Sequence, residues 1–576
     1  MMNKSIYFSM FCVLLTSISG ALAQGDGNSF DQTQIITGDR TLSVEKAFKI
    51  SETPNPIDIP VNVGNIKYQL LPKRPATALT VIPIEPARIK VREPLEQLYK
   101  GFVKGGAGTY ATPYLEAYYT SGRERDLAYG VHLKHLSSNT SINNVAFSGY
   151  SENSMSVWGK KVFKEHSLQS KLGFDRNVFH YYGFDPQDQE IEKEDIRQRF
   201  NLLTLENRWK SYYRDSSRVN HDVGFDVYHL GDRFDANELG FKTTADFRAY
   251  RGANYFTLNS GFDLVNYKAA GISAFEFMND SLDITTGAID NSNAILFAVP
   301  RILLRAKGLR ASIGLGLYGQ FDNQARFYAF PDAEVSYALF NNIFIPYLGI
   351  NGKVNRNSYR SITEQNPFVL SQIGLENSIT RFNVFGGVRG SISDHISFNT
   401  QVGFNKTDNT PLFVNDTLLS RENRFSVVYD EVSTFTMMGE LTYQNNKKWH
   451  AGVRAEIYSY STSVEDEAWH LPAHRISLNA GYNLFNKFEI GAQLAWIGKR
   501  QVKSLFEIPG DTPEEAGYWK VELDPYLDLT LSAEYHYSSR LTAFIQAHNL
   551  AAARYDIYYR FPAQRALILG GLKYAF

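Results

Sequence analysis

The sequence predicts an all-β fold: a transmembrane antiparallel β-barrel of about 22 strands, preceded by a short, mostly irregular N-terminal segment. Three observations carry this expectation. From residue 101 to the end, apolar residues recur at every second position, the period of a strand with one apolar face. The alternating runs are closer to ~9–12 residues than to the ~5–6 of a soluble sandwich strand, and about 9–11 tilted residues cross a bilayer. Short and longer links alternate between the runs, as they do in membrane barrels that turn tightly on one side and loop out on the other.

Taken in order, the chain of 576 residues opens with "MMNKSIYFSMFCVLLTSISGALAQ". Lys4 precedes an apolar core, and the small-x-small site Ala21-Leu22-Ala23 precedes Gln24. This is the pattern of a secretory signal peptide over 1–23, set aside from fold reasoning. The single cysteine, Cys12, lies inside that core, so the chain beyond it is expected to carry neither a disulfide nor a cysteine metal site. Residues 24–100 hold eight prolines between Pro54 and Pro94, which break helices and favour extended paths. They are expected to form a proline-rich periplasmic or lumen-filling segment, with one short helix at 42–50 capped by Ser43.

From residue 101 the period of two persists. In "PYLDLTLSAEYHYSSR", Leu527, Leu529, Leu531, Ala533, Tyr535 and Tyr537 share one face, and Asp528, Thr530, Ser532, Glu534 and His536 the other. "NKFEIGAQLAWIGKR" sets Phe488, Ile490, Ala492, Leu494 and Trp496 against Glu489, Gly491 and Gln493. Aromatics gather at the run ends, and Tyr482, Trp496, Tyr535 and Tyr537 are expected in the girdles where a barrel wall meets water. The short links fall at 537–540, 485–487, 444–448, 392–395, 339–342, 306–310 and 250–254. The longer ones fall at 554–564, 499–519, 461–470, 406–423, 357–374, 321–326 and 267–293. About 21 runs stand out. Both termini on one side require an even number, so a further strand is expected in the weakly patterned 102–122 or 137–151, giving 22. A barrel of this size encloses a lumen that is plugged or water-filled.

No stretch after the signal reaches the ~18–20 apolar residues of a membrane helix, and a net charge of -1 removes the electrostatic case for nucleic acid. "GLGLYG" at 314–319 matches G-x-G-x-x-G but lies inside an alternating strand, whereas a dinucleotide site needs a turn and a following helix. No H-E-x-x-H, G-x-S-x-G or P-loop occurs, and no cofactor is implied. His132, His536 and His548 are candidates for a catalytic set assembled in space, weighed against the blander reading of polar lumen residues. Arg454, Glu456, Glu489, Asp528, Glu534 and Lys573 fall on the lumen face, where opposite charges satisfy one another across strands. Asp280, Asp283 and Asp290 do not follow the spacing of a calcium loop.

The C-terminal "HNLAAARYDIYYRFPAQRALILGGLKYAF" resembles the last two strands of TonB-dependent receptors at Asn549, Leu550, Tyr555, Pro562, Arg565 and Phe576. Ala551 and Ala552 stand where that family usually has Phe-Asn. The final strand, with Leu572, Tyr574 and Phe576 at alternate positions, is similar to the signal read by the outer-membrane assembly machinery. The resemblance implies a bacterial outer-membrane location reached by secretion, contact with outer-membrane lipid and with that machinery, and a TonB-type energy coupler or a partner outer-membrane protein. Residues 24–100 are shorter than the family's plug and lack its motifs, so the chain resembles a plug-reduced relative. Three functions stay open: ligand binding or import, a non-transporting scaffold or accessory of an outer-membrane complex, and a membrane-embedded hydrolase.

Overall fold

The computed structural model describes residues 99–576 apart from 123, 125, 185–191, 216, 252–253, 272–285, 418–419, 421–422, 446–447, 505–513 and 515–516. The signal peptide, nearly all of 24–100 with its helix at 42–50, and Asp280 and Asp283 lie outside the described residues.

Twenty-two strands, from Gly101–Gly108 to Leu567–Ala575, form one antiparallel sheet. Each barrel strand pairs with the next, and the first pairs with the last from Phe102 opposite Ala575 to Gly108 opposite Leu569. The sheet therefore closes and leaves no edge. The strand that patterning left unresolved lies in the glycine-rich stretch, where a turn at 109–111 separates Gly101–Gly108 from Thr112–Thr120. The other weak stretch is a link between Leu127–Ser138 and Tyr150–Val162. "GLGLYG" sits within the strand Leu309–Phe321.

Gly101 and Phe576 share one end of the barrel with short links such as 485–487 and 537–540; this is the periplasmic end by the rule for outer-membrane barrels. The longer links gather at the opposite, extracellular end. One expected link needs correction. Residues 406–415 are not loop: the strands Ile396–Asn415 and Phe425–Asn445 run on for 20 and 21 residues, leaving only 416–424 as the connection. Above the bilayer both faces of a strand meet polar surroundings, so Lys406, Thr407, Asp408, Asn409 and Thr410 need not alternate, and the pattern that reveals strands in lipid is lost there.

The outer face is apolar and uncovered. Ile313, Leu315 and Leu317 on one strand are 56%, 44% and 44% exposed, and Leu203, Met155, Phe174 and Leu572 are similarly bare. A contiguous belt of this kind has no place in water; with neither edge nor inner core behind it, it marks the lipid-facing wall of a membrane barrel. The inner face carries matched charges. Arg208 grips Asp222 at 2.5 and 2.7 Å, Arg301 grips Asp332 at 2.7 and 2.8 Å, and Arg389 meets Glu334 at 2.9 Å. Arg454 bonds Glu456 at 2.7 Å, and Lys104 lies 3.3 Å from Glu534.

Glycine closes the seam between first and last strands. A Cβ on Gly571 would stand 2.1 Å from the Gly105 carbonyl oxygen and 2.8 Å from the Phe544 ring, and one on Gly106 would stand 2.6 Å from the Gly570 carbonyl. The missing side chains let the two strands close over Phe544, whose ring also carries the Lys104 ammonium at 4.1 Å. Phe576 finishes the closure through its backbone: its N–H donates to Gly101, and its carbonyl accepts from Lys100 and Gly101.

Candidate functional site: an extracellular lid held by buried carboxylates

The largest buried core of the described residues is not in the wall but at the extracellular end, where links from many strands meet. Its centre is the connection 356–377, between Ile345–Asn355 and Ser378–Ser393. The sequence starts a short helix there, Tyr359–Gln365: Ser358 and Ser361 form a reciprocal capping box, and Asn366-Pro367 stops it, since a residue before proline is driven out of the helical region. Tyr359 and Ile362 are fully buried. Downstream, Phe368, Val369, Leu370 and Ile373 turn into the same core, and Phe368 stacks on Phe561 at 3.9 Å.

Two carboxylates hold this connection. Asp232 accepts five hydrogen bonds: from the N–H groups of Phe234 and Ala236 at 2.9 and 2.8 Å, from Gln198 Nε2 at 3.0 Å, from the Tyr359 hydroxyl at 2.9 Å, and from the Ser371 hydroxyl. Glu238, with no exposed surface, accepts from the N–H groups of Tyr359 and Arg360 at 2.5 and 3.0 Å and from the Tyr228 hydroxyl at 2.8 Å. Carboxylates so satisfied are strong anchors, because removing one strands several buried donors.

Further bonds tie the connection to other links. Tyr181 donates to the Val369 carbonyl at 3.2 Å, Tyr267 to that of Ser371 at 2.5 Å, and Tyr558 to that of Gln365 at 2.6 Å. The Phe425 N–H donates to the Phe368 carbonyl at 3.0 Å, and the Leu370 N–H to the Phe425 carbonyl at 2.9 Å. At the root, Arg356 bonds Asp263 at 3.1 Å and Asn293 at 2.5 Å. The connection is thus a lid, fixed at both ends and latched by hydrogen bonds to links contributed by distant parts of the chain.

His470, in the link 463–473, completes the cap. Its ring lies 5.4 Å from that of Phe425 and 5.5 Å from that of Tyr558, and among the described residues neither ring nitrogen has a partner. Burial, with the Arg500 charge as the second cause, pushes its pKa down to about 3 from 6.5. The folded cap therefore favours the neutral ring, so the stability His470 contributes is intact above about 6.5 and is lost as pH falls from there towards 3. Limited proteolysis of the cap over that window should show increasing cleavage in the native chain, and a shallower rise in His470→Phe, which keeps a ring but cannot take up the proton. Identical profiles would show that His470 is not responsible.

The residues singled out in the sequence are dispersed. Tyr482, Tyr535 and Tyr537 lie towards the periplasmic end, where Tyr482 stacks on Trp449 at 4.1 Å and Tyr535 packs at a tilt against Phe488 at 4.8 Å; Trp496 lies towards the other end. Leu572, Tyr574 and Phe576 project outward, 56%, 47% and 49% exposed. Asn549 is buried and ties the link 549–566 through the Ala553 and Gln564 carbonyls at 3.0 and 3.1 Å. Leu550 and Arg565 are exposed. Tyr555 stacks on Tyr526 at 4.0 Å, and the Pro562 carbonyl accepts from Tyr182 at 3.1 Å. The candidate histidines are not brought together: His536 ends a strand at the periplasmic side and His548 one at the extracellular side, while His132 bonds Glu116 at 2.9 Å within the wall. Lys573 lies 5.0 Å over the Phe102 ring, and Asp290 pairs with Lys268 at 2.7 Å. Glu489, Glu534 and His536 present ligand atoms within 4.8 Å of one another, but Glu534 is already paired with Lys104 and His536 with Thr542.

Sequence reading took the lid only as a longer link, and it missed Gln198, Asp232 and Glu238. A signal was present in "QNPFVLSQIG": four large apolar residues in a loop expected to meet water need something to cover them.

A closed 22-strand barrel with an apolar outer wall and extracellular links folded over its mouth defines an outer-membrane β-barrel. The solved structures it matches are of that class. The iron transporter FrpB of Neisseria meningitidis aligns over 84% of this chain and 82% of its own, with a TM-score of 0.63 and 9% identity. The pyoverdine receptor FpvA of Pseudomonas aeruginosa aligns over 83% and 78%, with a TM-score of 0.61 and 12% identity. The ferric-catecholate import receptor Fiu of Escherichia coli K12 aligns over 83% and 82%, with a TM-score of 0.59 and 9% identity. No protein-family model and no curated protein matches the sequence. At such identities the likeness is one of fold: the chain has the 22-strand barrel of TonB-dependent receptors.

Proposed function

We propose that this chain binds a ligand at its extracellular mouth and imports it through the barrel, with the lid 356–377 as the gate. The observation that carries this reading is how the lid is held. Asp232 and Glu238 secure it with hydrogen bonds, while its ends continue into wall strands, so it can move without unzipping the sheet. The import receptors that share the fold support the same reading. Residues 24–100 are proposed as a reduced plug, in contact with a TonB-type coupler or a partner outer-membrane protein.

The second reading, a non-transporting scaffold, is favoured by the apolar side of the cap: Tyr181, Tyr359, Phe425 and Phe561 are buried as completely as residues of a protein interior. A staple separates the two. Asp232 and Ser371 side chains touch, and the only native cysteine is Cys12, so the pair Asp232→Cys and Ser371→Cys can be oxidised without competition. In a deletion strain tested on a panel of ferric siderophores, glycans and peptides as sole iron or carbon source, the native chain should restore growth on at least one. The oxidised pair should not, and reduction should restore growth. Full growth with the staple shown intact by mass spectrometry would rule out import past this lid. No growth phenotype, with a second outer-membrane protein recovered in equal amount, would establish the scaffold.

A further inference from the structure

On the lipid-facing wall, the strands Leu127–Ser138, Tyr150–Val162, His166–His180 and Arg197–Ser211 carry a feature that neither import nor scaffolding uses. Leu133, Met155, Phe174 and Leu203 form one register row of exposed apolar side chains. With Leu115 and Ala117 the first three line a shallow groove of about 250 Å³. One row higher, the register places His135, Asn153, Arg176 and Asn201 on the same outward face; Arg199 stands one row above, opposite Val178.

Arg176 and Arg199 are diagonal neighbours on adjacent strands, a placement that puts side-chain origins about 7–8 Å apart. Among the described residues neither guanidinium has a side-chain partner, and Arg199 Nε is buried without an acceptor. Three other cations above the belt are ion-paired: Lys268 with Asp290 at 2.7 Å, Arg381 with Asp408 at 2.6 Å and Lys406 with Glu431 at 2.6 Å. Two adjacent cations without an ion pair repel each other, and an anion from outside the chain would relieve that repulsion.

Their height says where that charge lies. The aromatic cluster of Phe163, His166, Trp209 and Tyr213 marks the lower end of these strands. Arg176 follows His166, and Arg199 precedes Trp209, by ten residues along the chain. At ~3.3 Å per residue and a tilt of ~40°, this is about 25 Å of wall, the height of the apolar band of such barrels. The two arginines thus stand at the extracellular headgroup level, directly above the apolar groove.

We propose that this wall binds an outer-leaflet lipid with a phosphorylated headgroup, its phosphate held by Arg176 and Arg199 and one acyl chain seated in the groove over Ala117. Guanidinium forks suit phosphate oxygens, and the register places Arg176 one row above Phe174 of the groove.

The test is native mass spectrometry of the full chain in mild detergent, with bis-phosphorylated lipid A as probe. The native chain should retain it, and retention should fall about tenfold, the scale of losing a charge-assisted contact, in Arg176→Gln/Arg199→Gln or when the lipid is dephosphorylated. Arg381→Gln, from the paired cluster, should retain lipid like the native chain, and excess inorganic phosphate should not displace it. Heat-modifiable gel migration checks that each variant is a folded barrel; the dephosphorylated lipid tests the native chain itself. Equal retention of both lipids, equal loss in Arg381→Gln, undiminished retention in the double variant, or displacement by free phosphate would each overturn the proposal.

Discussion

Replacing Asp232 with alanine is expected to release the lid while leaving the barrel wall closed. The carboxylate satisfies five donors, three of them the side chains of Gln198, Tyr359 and Ser371. Gln198 keeps the Tyr181 and Ser371 hydroxyls as acceptors, but the lid's own donors Tyr359 and Ser371 lose theirs; at about 1–3 kcal/mol for each buried donor left without an acceptor, the lid should lose at least about 2 kcal/mol of local stability. Asp232→Asn should be milder, since its amide oxygen still accepts part of the set. Single-channel recording and limited proteolysis read this directly: Asp232→Ala should conduct, and should be cut within 356–377, under conditions where the native chain is silent and resistant. A silent, resistant Asp232→Ala barrel would mean that the apolar packing of Phe368 and Phe561 holds the lid by itself.

Valine at Gly571 should prevent the barrel from forming. The new Cβ would stand 2.1 Å from the Gly105 carbonyl oxygen, a backbone atom that cannot yield without separating the first strand from the last. The folded, heat-modifiable species should drop by about tenfold or more in membrane extracts, consistent with a packing clash of several kcal/mol. Gly570→Ala is the matched control: its Cβ would meet only the Phe544 carbonyl at 3.7 Å, ordinary contact, and its yield should be native. Equal yields of Gly571→Val and Gly570→Ala would show that close approach does not govern the seam.

Where lipid touches the chain, the sequence is readable. Leu315 and Leu317 alternate with Gly314 and Gly316 because one solvent faces each side, and the same pattern in Leu527–Leu531 and Leu572–Tyr574 made the architecture legible from end to end. Legibility fails where that contrast fails. Glycines 105 and 106 have no side chain to declare a face, so the first two strands blurred into one. Lys406 to Thr410 lie beyond the bilayer, so the upper end of one long strand looked like a loop. The lid was hidden for a different reason. Asp232 and Ser371 are separated by 139 residues, and nothing local to either announces the other; only the apolar run from Phe368 to Ile373 hinted that this connection was buried.

The wall is not of even height, and the surrounding membrane has to answer for it. The seam strands Gly101–Gly108 and Leu567–Ala575 have 8 and 9 residues, whereas Ile396–Asn415 and Phe425–Asn445 have 20 and 21. With ~3.3 Å per residue and ~40° of tilt, the seam rises only about 20–23 Å, less than the usual ~25 Å band. Lipids beside it must shorten to match, at a fraction of a kcal/mol per Å, so the molecule carries a permanent dimple in the bilayer along the line where its first and last strands meet.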